Sequence, residues 1–285
     1  MNNLVIHPTT KLHVAGYLSS PSHAVTLVAP AGSGKLSLAI AIASEMLAVD
    51  HDKVMNYAYL RLISPEDGKA ISIDSIRAIE KFLSLKVPNT QSANRVVIVE
   101  NANLMTLEAQ TALLKTLEEP PSGTVIILTA FNEQDLIDTI RSRSIKLYVA
   151  KPEISQVKAH FSGLDFKSQA IDQALSVSGG LPGLTAAILQ NNQDHPLLQA
   201  VVKAKSILSG SRYSKMLLVD ELSKDKLLAF NVLSIIQQMA QISLLRSTSN
   251  AGQWQNILDN SYQAQAALVK NAQSKLALSK YMLDF

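Results

Sequence analysis

The sequence predicts an α/β domain built on a parallel five-stranded sheet, followed by an all-helical region. Three observations predict it. Five short, β-branched apolar runs lie before residue 150, separated by stretches with helical spacing. These runs are apolar at nearly every position, the pattern of strands covered on both faces. After about residue 151 only helical patterns remain.

The strands are read at 24–29 (AVTLVA), 57–63 (YAYLRLI), 95–100 (RVVIVE), 124–130 (TVIILTA) and 144–149 (SIKLYV), each bounded by turn residues or charges. Between them, 35–49 places Leu36, Ile40, Ala43 and Leu47 along one helical face, and 73–85 places Ile76, Ile79 and Leu83 similarly. A third helix, 106–119, has Thr106 as its N-cap and Glu108 in its first turn, and it stops at Pro120-Pro121. The later helices are read at 154–161, 168–176, 181–190 and 197–208, then in longer segments from Tyr213. Breaks fall at Gly179-Gly180, 209–211 and 247–252. The expected domains are 1–150, 151–208 and 209–285.

Composition excludes several classes. Of 285 residues, 47% are apolar and 17% charged, which excludes a largely disordered chain. Cysteine is absent, so disulfides, cysteine-rich zinc modules and thiol catalysis are excluded. The start, MNNLVIHPTTK, lacks a basic, apolar leader, and the apolar run 38–49 is short and broken by Glu45, so the expectation is a cytoplasmic chain without a membrane span. A net charge of +3 does not mark a strong autonomous nucleic-acid binder. The six histidines, His7, His13, His23, His51, His160 and His195, show no metal-ligand spacing and read as surface or structural. Trp254 and Tyr262 read as core or interface packing.

One motif carries chemistry. Between the first strand and the first long helix, Ala29-Pro30-Ala31-Gly32-Ser33-Gly34-Lys35-Leu36 approximates the phosphate loop G-x-x-x-x-G-K-[ST]. Glycines turn backbone N–H groups toward phosphate, and the lysine adds a point charge. Ala29 replaces the first glycine. Leu36 replaces the hydroxyl that would hold Mg²⁺, and Ser37 lies roughly 100° further round the helix. At the end of the third strand, ATPases built on such loops place Asp-Glu to hold metal and polarise water. Here the pair is Glu100-Asn101, and Asn101 cannot act as a base. Both defects predict a pocket that holds ATP or ADP at most, without hydrolysis; the plain alternative is a glycine-rich turn without a ligand.

A longer pattern is more specific. Residues 100–121, ENANLMTLEAQTALLKTLEEPP, with 136–144, LIDTIRSRS, resemble the clamp-loader branch of the AAA+ ATPases. Bacterial members carry a close variant of DEADxMTxxAxNALLKTLEEPP and then Ser-Arg-Cys. Thr106, Glu108, Ala109, the run 112–121, Ser142 and Arg143 match, and Ser144 replaces the cysteine. The runs 73–77 (IDSIR), 82–86 (FLSLK) and 271–278 (NAQSKLAL) resemble the delta prime family of bacterial DNA polymerase III subunits.

The resemblance implies an AAA+ phosphate-loop domain, a small helical lid and a helical collar. It also implies a subunit with an eroded ATP site inside a pentamer that opens a sliding clamp and places it on primer–template DNA. Its partners would be ATP-hydrolysing gamma/tau-like subunits and a delta-like subunit, with no membrane. Arg143 would project toward a neighbour's γ-phosphate, with Arg141 an interface or structural partner; the plain alternative is a pair of solvated loop charges. Thr129 and Asn132 stand where a polar residue senses phosphate, or simply cap a strand end. Glu118 and Glu119 stand between a solvated face and a subunit contact. Lys69, Arg77, Lys81 and Lys86 are candidates for facing DNA, with a solvated face the default. Ala267, Leu268, Leu276, Leu278 and Leu283 suit a collar seam. Two departures stand out. The family's four-cysteine zinc module is absent, 50–56 being too short for it, so no zinc is expected. Leu184 stands where active members carry a sensor arginine. The rival reading is an autonomous AAA+ ATPase acting in DNA replication or repair, which Leu36 and Asn101 oppose.

Overall fold

Five parallel strands, β1 (Ala24–Val28), β2 (Leu60–Ile63), β3 (Arg95–Val99), β4 (Thr124–Ala130) and β5 (Ile145–Tyr148), form one sheet in the order β2-β3-β4-β1-β5. They are seen in a computed structural model that describes residues 4–66, 69–84, 95–191, 195–246, 250–269 and 273–284. Among the described residues, six helices accompany the sheet: α1 (Pro8–Ser19), α2 (Lys35–Leu47), α3 (His51–Val54), α4 (Ile73–Leu83), α5 (Leu107–Glu118) and α6 (Asp138–Arg143). The chain divides into two compact units. Apart from short loop segments, the first runs to Lys151 and the second begins at Pro152.

Cover on both faces is found for β1, β3 and β4, which are buried at every position, but not for the outermost strands. Arg61 of β2 and Ile145, Lys146 and Tyr148 of β5 are exposed, because a strand at the end of the sheet has a neighbour on one side only. On β3, Val96 and Ile98 join a cluster with Leu38, Ala39, Ile42 and Met46 of α2, while Val97 and Val99 join one with Ile76 and Ile79 of α4 and Leu113 and Leu117 of α5. Successive strand residues point to opposite faces, so a strand buried on both sides must be apolar throughout. Helix α5 begins as expected: the Thr106 side chain accepts from the Ala109 N–H. Helix α4 begins on Ser72, which accepts from the Ser75 N–H.

Several local expectations are corrected. Helices α1, α3 and α6 carry no strong apolar stripe and were not expected. The stripe assigned to α2 is found in part: Ala43 and Leu47 are buried, but Leu36 and Ile40 only partly, and Leu38, Ala39, Ala41, Ile42 and Met46 widen the buried face. The helix is apolar nearly all round, so periodicity could not choose a face. It ends at Leu47 because Ala48 turns into the left-handed region (φ 50°). Strand β2 starts at Leu60, with Tyr57 and Tyr59 packed edge to face before it. Residues 85, 86, 271 and 272, used for the family resemblance, and 247–249 of the expected break, lie outside the described residues.

The second unit holds α7 (Ile154–Ser162), α8 (Ser168–Ser178), α9 (Pro182–Gln190), α10 (Pro196–Ser209), α11 (Arg212–Leu222), α12 (Lys226–Arg246), α13 (Ala251–Val269) and α14 (Ser274–Leu283). Gly179 caps α8 in the left-handed region (φ 59°), and a Cβ there would run into the Gln238 amide of α12. Gly210 and Ser211 separate α10 from α11 as read, whereas Gly252 sits inside α13 rather than in a break. The stretch Lys226–Leu245 is long and apolar enough to cross a membrane (mean hydropathy 1.4), but it is mostly buried inside the fold, with Phe230, Leu233 and Ile236 in the core. It packs beside α13, where Gln237 Nε2 donates to Gln265 Oε1 at 2.9 Å.

The collar-seam residues divide. Leu268 and Leu278 are buried in the chain's own core, while Leu276 (68%) and Leu283 (51%) are exposed. Tyr262 is exposed and accepts from Gln241, and Trp254 is only partly buried, so neither is a core residue. His7 and His195 prove structural: each accepts a backbone N–H, of Thr9 and Leu197 respectively, at a helix N-terminus.

Ile98 has no exposed surface and sits on a central strand, whereas Leu12 on α1 is 70% exposed. Ile98→Ala should cost about 2–5 kcal/mol, and Leu12→Ala within about 0.5 kcal/mol, as read by urea denaturation.

Candidate functional site

Strand order creates two separate groups of polar residues. Because every strand is parallel, all carboxyl ends lie along one edge of the sheet. The loop after β1, the Glu100-Asn101 pair after β3 and Thr129 near the end of β4 therefore meet at that edge, across the neighbouring strands β3-β4-β1. Ligands in parallel α/β sheets bind at such an edge.

The phosphate-loop backbone keeps its form. Gly32 (φ 78°) and Gly34 (φ 86°) are left-handed, and Gly34 is the N-cap of α2. Ser33 Oγ is buried and has no hydrogen-bond partner among the described residues. Lys35 is buried, and its Nζ donates to the loop's own carbonyls, Ala29 O at 2.7 Å and Pro30 O at 3.0 Å; it also lies 4.6 Å from the centre of the Phe131 ring. Burial lowers its pKa from 10.5 to about 7, opposed by the nearby Glu100 charge. Leu36 packs against the core cluster of α2, and Ser37 is exposed. Asn101 takes a left-handed conformation (φ 51°), and its N–H donates to Thr129 Oγ1 at 2.9 Å. Thr129 is thus engaged within the strand layer. Asn132 accepts from the Gln134 N–H and caps the 3₁₀ turn Glu133–Asp135. Leu184 is fully buried on α9.

These residues fit an anion only in part, and they do not fit a metal–nucleotide complex. The glycine backbone and the unpartnered Ser33 hydroxyl suit a phosphate oxygen. Lys35, however, would have to leave two carbonyls to reach it, and Leu36 offers Mg²⁺ no oxygen.

The second group lies at the opposite edge. The register Val25↔Ile145 sets the start of β5 beside the start of β1. Arg143 and Ser144 immediately precede β5, so they sit at the amino edge. Arg143 is the last residue of a short helix, α6, rather than a loop residue. Its Nη2 pairs with Glu118 Oε1 at 2.8 Å, and its Nη1 donates to Thr139 O (3.3 Å) and Ser142 Oγ (3.4 Å). Arg141 pairs with Asp138 on its own helix. Ser144 is buried: its hydroxyl accepts from Thr26 Oγ1 of β1 at 2.8 Å and donates to Ile140 O at 3.1 Å. The α6 terminus is thereby bonded to the middle of the sheet. Of the basic residues, Arg77 pairs with Asp74 at the surface, Lys69 and Lys81 are exposed, and Lys86 lies outside the described residues.

Sequence reasoning missed two partners. Nothing local marks Phe131 as the ring beside Lys35. Glu118 carried only the signal of its place in the long motif, and Glu119 is exposed.

A sequence profile of the family described as "DNA polymerase III, delta subunit" matches residues 11–153, just over half of the chain. The delta prime subunit of DNA polymerase III from Escherichia coli K12 is 35% identical over 157 residues, covering 53% of this chain and 46% of its own. That from Haemophilus influenzae is 34% identical over 187 residues, covering 59% and 55%. The chain spans about half the length of these relatives. A DNA polymerase III gamma subunit-related protein from Thermotoga maritima shares the fold, with a TM-score of 0.50 at 20% identity over 96% of this chain and 97% of its own.

Two outcomes follow. In the folded chain Lys35 gives up its proton near pH 7, whereas unfolded it holds one to about pH 10.5. Between these values the unfolded state binds more protons, so Lys35 makes stability rise with pH. Stability of the wild type relative to Lys35→Met should therefore increase from pH 6 to pH 9 in parallel urea titrations. Separately, Ser144→Ala strips a buried acceptor from Thr26 and should cost about 1–3 kcal/mol on denaturation.

Proposed function

We propose a clamp-loading role for this chain, which belongs to the DNA polymerase III delta subunit family and resembles its delta prime members. It would complete a complex with ATP-hydrolysing and delta-like subunits that opens a sliding clamp and places it on primer–template DNA in the cytoplasm. Residues 1–150 would be the AAA+ domain, 151–208 the lid and 209–285 the collar that joins the other subunits. The chain would act by offering Arg143 to a neighbour's nucleotide rather than by hydrolysing ATP.

The observation that carries this reading is the separation of Arg143 from its own phosphate loop. Arg143 precedes β5 at the amino edge, and the loop leaves β1 at the carboxyl edge. Strand residues advance about 3.3 Å each, so the length of β1 alone holds the two roughly 10 Å apart or more. An arginine so placed reaches outward. There a guanidinium can neutralise charge that develops in phosphoryl transfer. The loss of a metal ligand at Leu36 and of a base at Asn101 supports the second half of the reading: this chain supplies a group and lacks the machinery to use one.

The test is the full chain assembled with its ATP-hydrolysing partners. Arg143→Ala should leave assembly intact and lower clamp- and DNA-stimulated hydrolysis several-fold. This is less than the about 10³–10⁵ that such an arginine can contribute at one site, because only one site in the complex receives it. Arg141→Ala, the control for charge, should act as wild type. Equal wild-type activity of both variants overturns the reading, as would turnover by the isolated chain that Lys35→Ala abolishes.

A further inference from the structure

Glu118 lies in the last turn of α5, where the helix presents its carbonyls and a carboxylate is disfavoured. Such a position calls for a cation. The nearest lysine on that turn, Lys115, is directed to Glu80 on α4, at 3.9 Å. The cation that meets Glu118 is Arg143, from a different helix. The pair is not a core element: the two side chains are 36% (Arg143) and 49% (Glu118) exposed, and an exposed pair of this kind adds little to stability.

Its effect is geometric. Arg143 is anchored at its backbone, because the adjacent Ser144 is bonded to Thr26 and to Ile140 O. Beyond the backbone, its long side chain is held by two groups of its own helix, Thr139 O and Ser142 Oγ, both at 3.3 Å or longer, and by Glu118 at 2.8 Å. Glu118 therefore supplies the short, charged contact from outside α6. It engages Nη2, the local groups engage Nη1, and the planar guanidinium has five N–H donors in a fixed fork. Donors remain for a third partner without breaking the Glu118 pair.

We propose that Glu118 is a positioning residue for Arg143, fixing the direction in which the guanidinium is presented to the nucleotide of a neighbouring subunit. This rests on the reading of Arg143 as an arginine acting in trans. Holding a reacting group in its productive orientation beforehand lowers the barrier, and small misplacements are costly.

The experiment uses the full chain assembled with its ATP-hydrolysing partners, with clamp and primed DNA present. Steady-state hydrolysis is compared for wild type, Glu118→Gln, Glu118→Asp, Arg143→Ala and the double variant Glu118→Gln/Arg143→Ala. Glu118→Gln should lower kcat about three- to tenfold with KM for ATP unchanged. Glu118→Asp, which keeps the charge, should recover part of the loss. The double variant should match Arg143→Ala, because Glu118 acts only through Arg143. The melting temperature of isolated Glu118→Gln should stay within about 2 °C of wild type, as for an exposed pair. A fall with Arg143→Ala but wild-type kcat with Glu118→Gln overturns the positioning role while leaving the trans arginine standing. Raised kcat with Glu118→Gln overturns it too, since the carboxylate would then be restraining the arginine. So does a double variant slower than Arg143→Ala. Wild-type activity of Arg143→Ala is the distinct result that removes the trans reading itself, and this proposal with it.

Discussion

Strand β1 is hydrogen-bonded to β4 on one side and to β5 on the other, all three running the same way, and the rest of the first unit depends on that arrangement. Parallel pairing separates the ends of the strands into two edges with no exchange between them. One edge collects the phosphate loop, Glu100-Asn101 and Thr129. The other collects Arg143, Ser144 and the end of α5 with Glu118. The inner strands β1, β3 and β4 are mostly apolar and buried throughout because α2 covers one face and α4 with α5 the other. The chemistry is thus confined to the edges, and the core between them is rigid and close-packed.

The two edges differ in what they retain. At the carboxyl edge the backbone has kept a phosphate-binding form while its side chains have turned inward. Lys35 bonds its own loop, Leu36 packs on the core, and the Thr129 hydroxyl receives the Asn101 N–H. Lys35 and Thr129 have thus found partners within the protein, as most buried polar groups do, and the buried Ser33 hydroxyl is the exception at this edge. At the amino edge the opposite holds. Arg143 and Glu118 remain partly in solvent, and the buried Thr26–Ser144–Ile140 bonds fix only the backbone beneath them. The oxygen of Ser144 suits that task, since a hydroxyl both accepts from Thr26 and donates to a carbonyl.

The helical unit is organised around α12, whose apolar composition reflects burial among its neighbours. Its core absorbs Leu268 and Leu278, while Leu276 and Leu283, Tyr213 (76%) and Leu217 (61%) of α11, Val202 of α10 and Leu245 of α12 are among the exposed apolar residues of this region.

The sequence by itself determined which chemical groups exist and which elements carry them. Short β-branched apolar runs alternating with helical stretches read as strands of a parallel sheet, Thr106 and Pro120-Pro121 bound a helix by local backbone chemistry, and leucine at position 36 offers no hydroxyl and asparagine at position 101 no carboxylate. These are properties of single residues and short periods. The length of β2, the face of α2 and the helical setting of Arg143 were not legible, because an all-round apolar helix has no preferred stripe and a six-residue helix has no period to read. Only the tertiary structure decided the strand order, and with it the edge on which Arg143 lies. It also decided that Glu118 meets Arg143, that Thr26 meets Ser144, and that Leu278 is core whereas Leu276 is surface. Periodicity says that a residue has a buried side but not what covers it, and contacts between distant segments depend on how the strands are ordered rather than on any one of them.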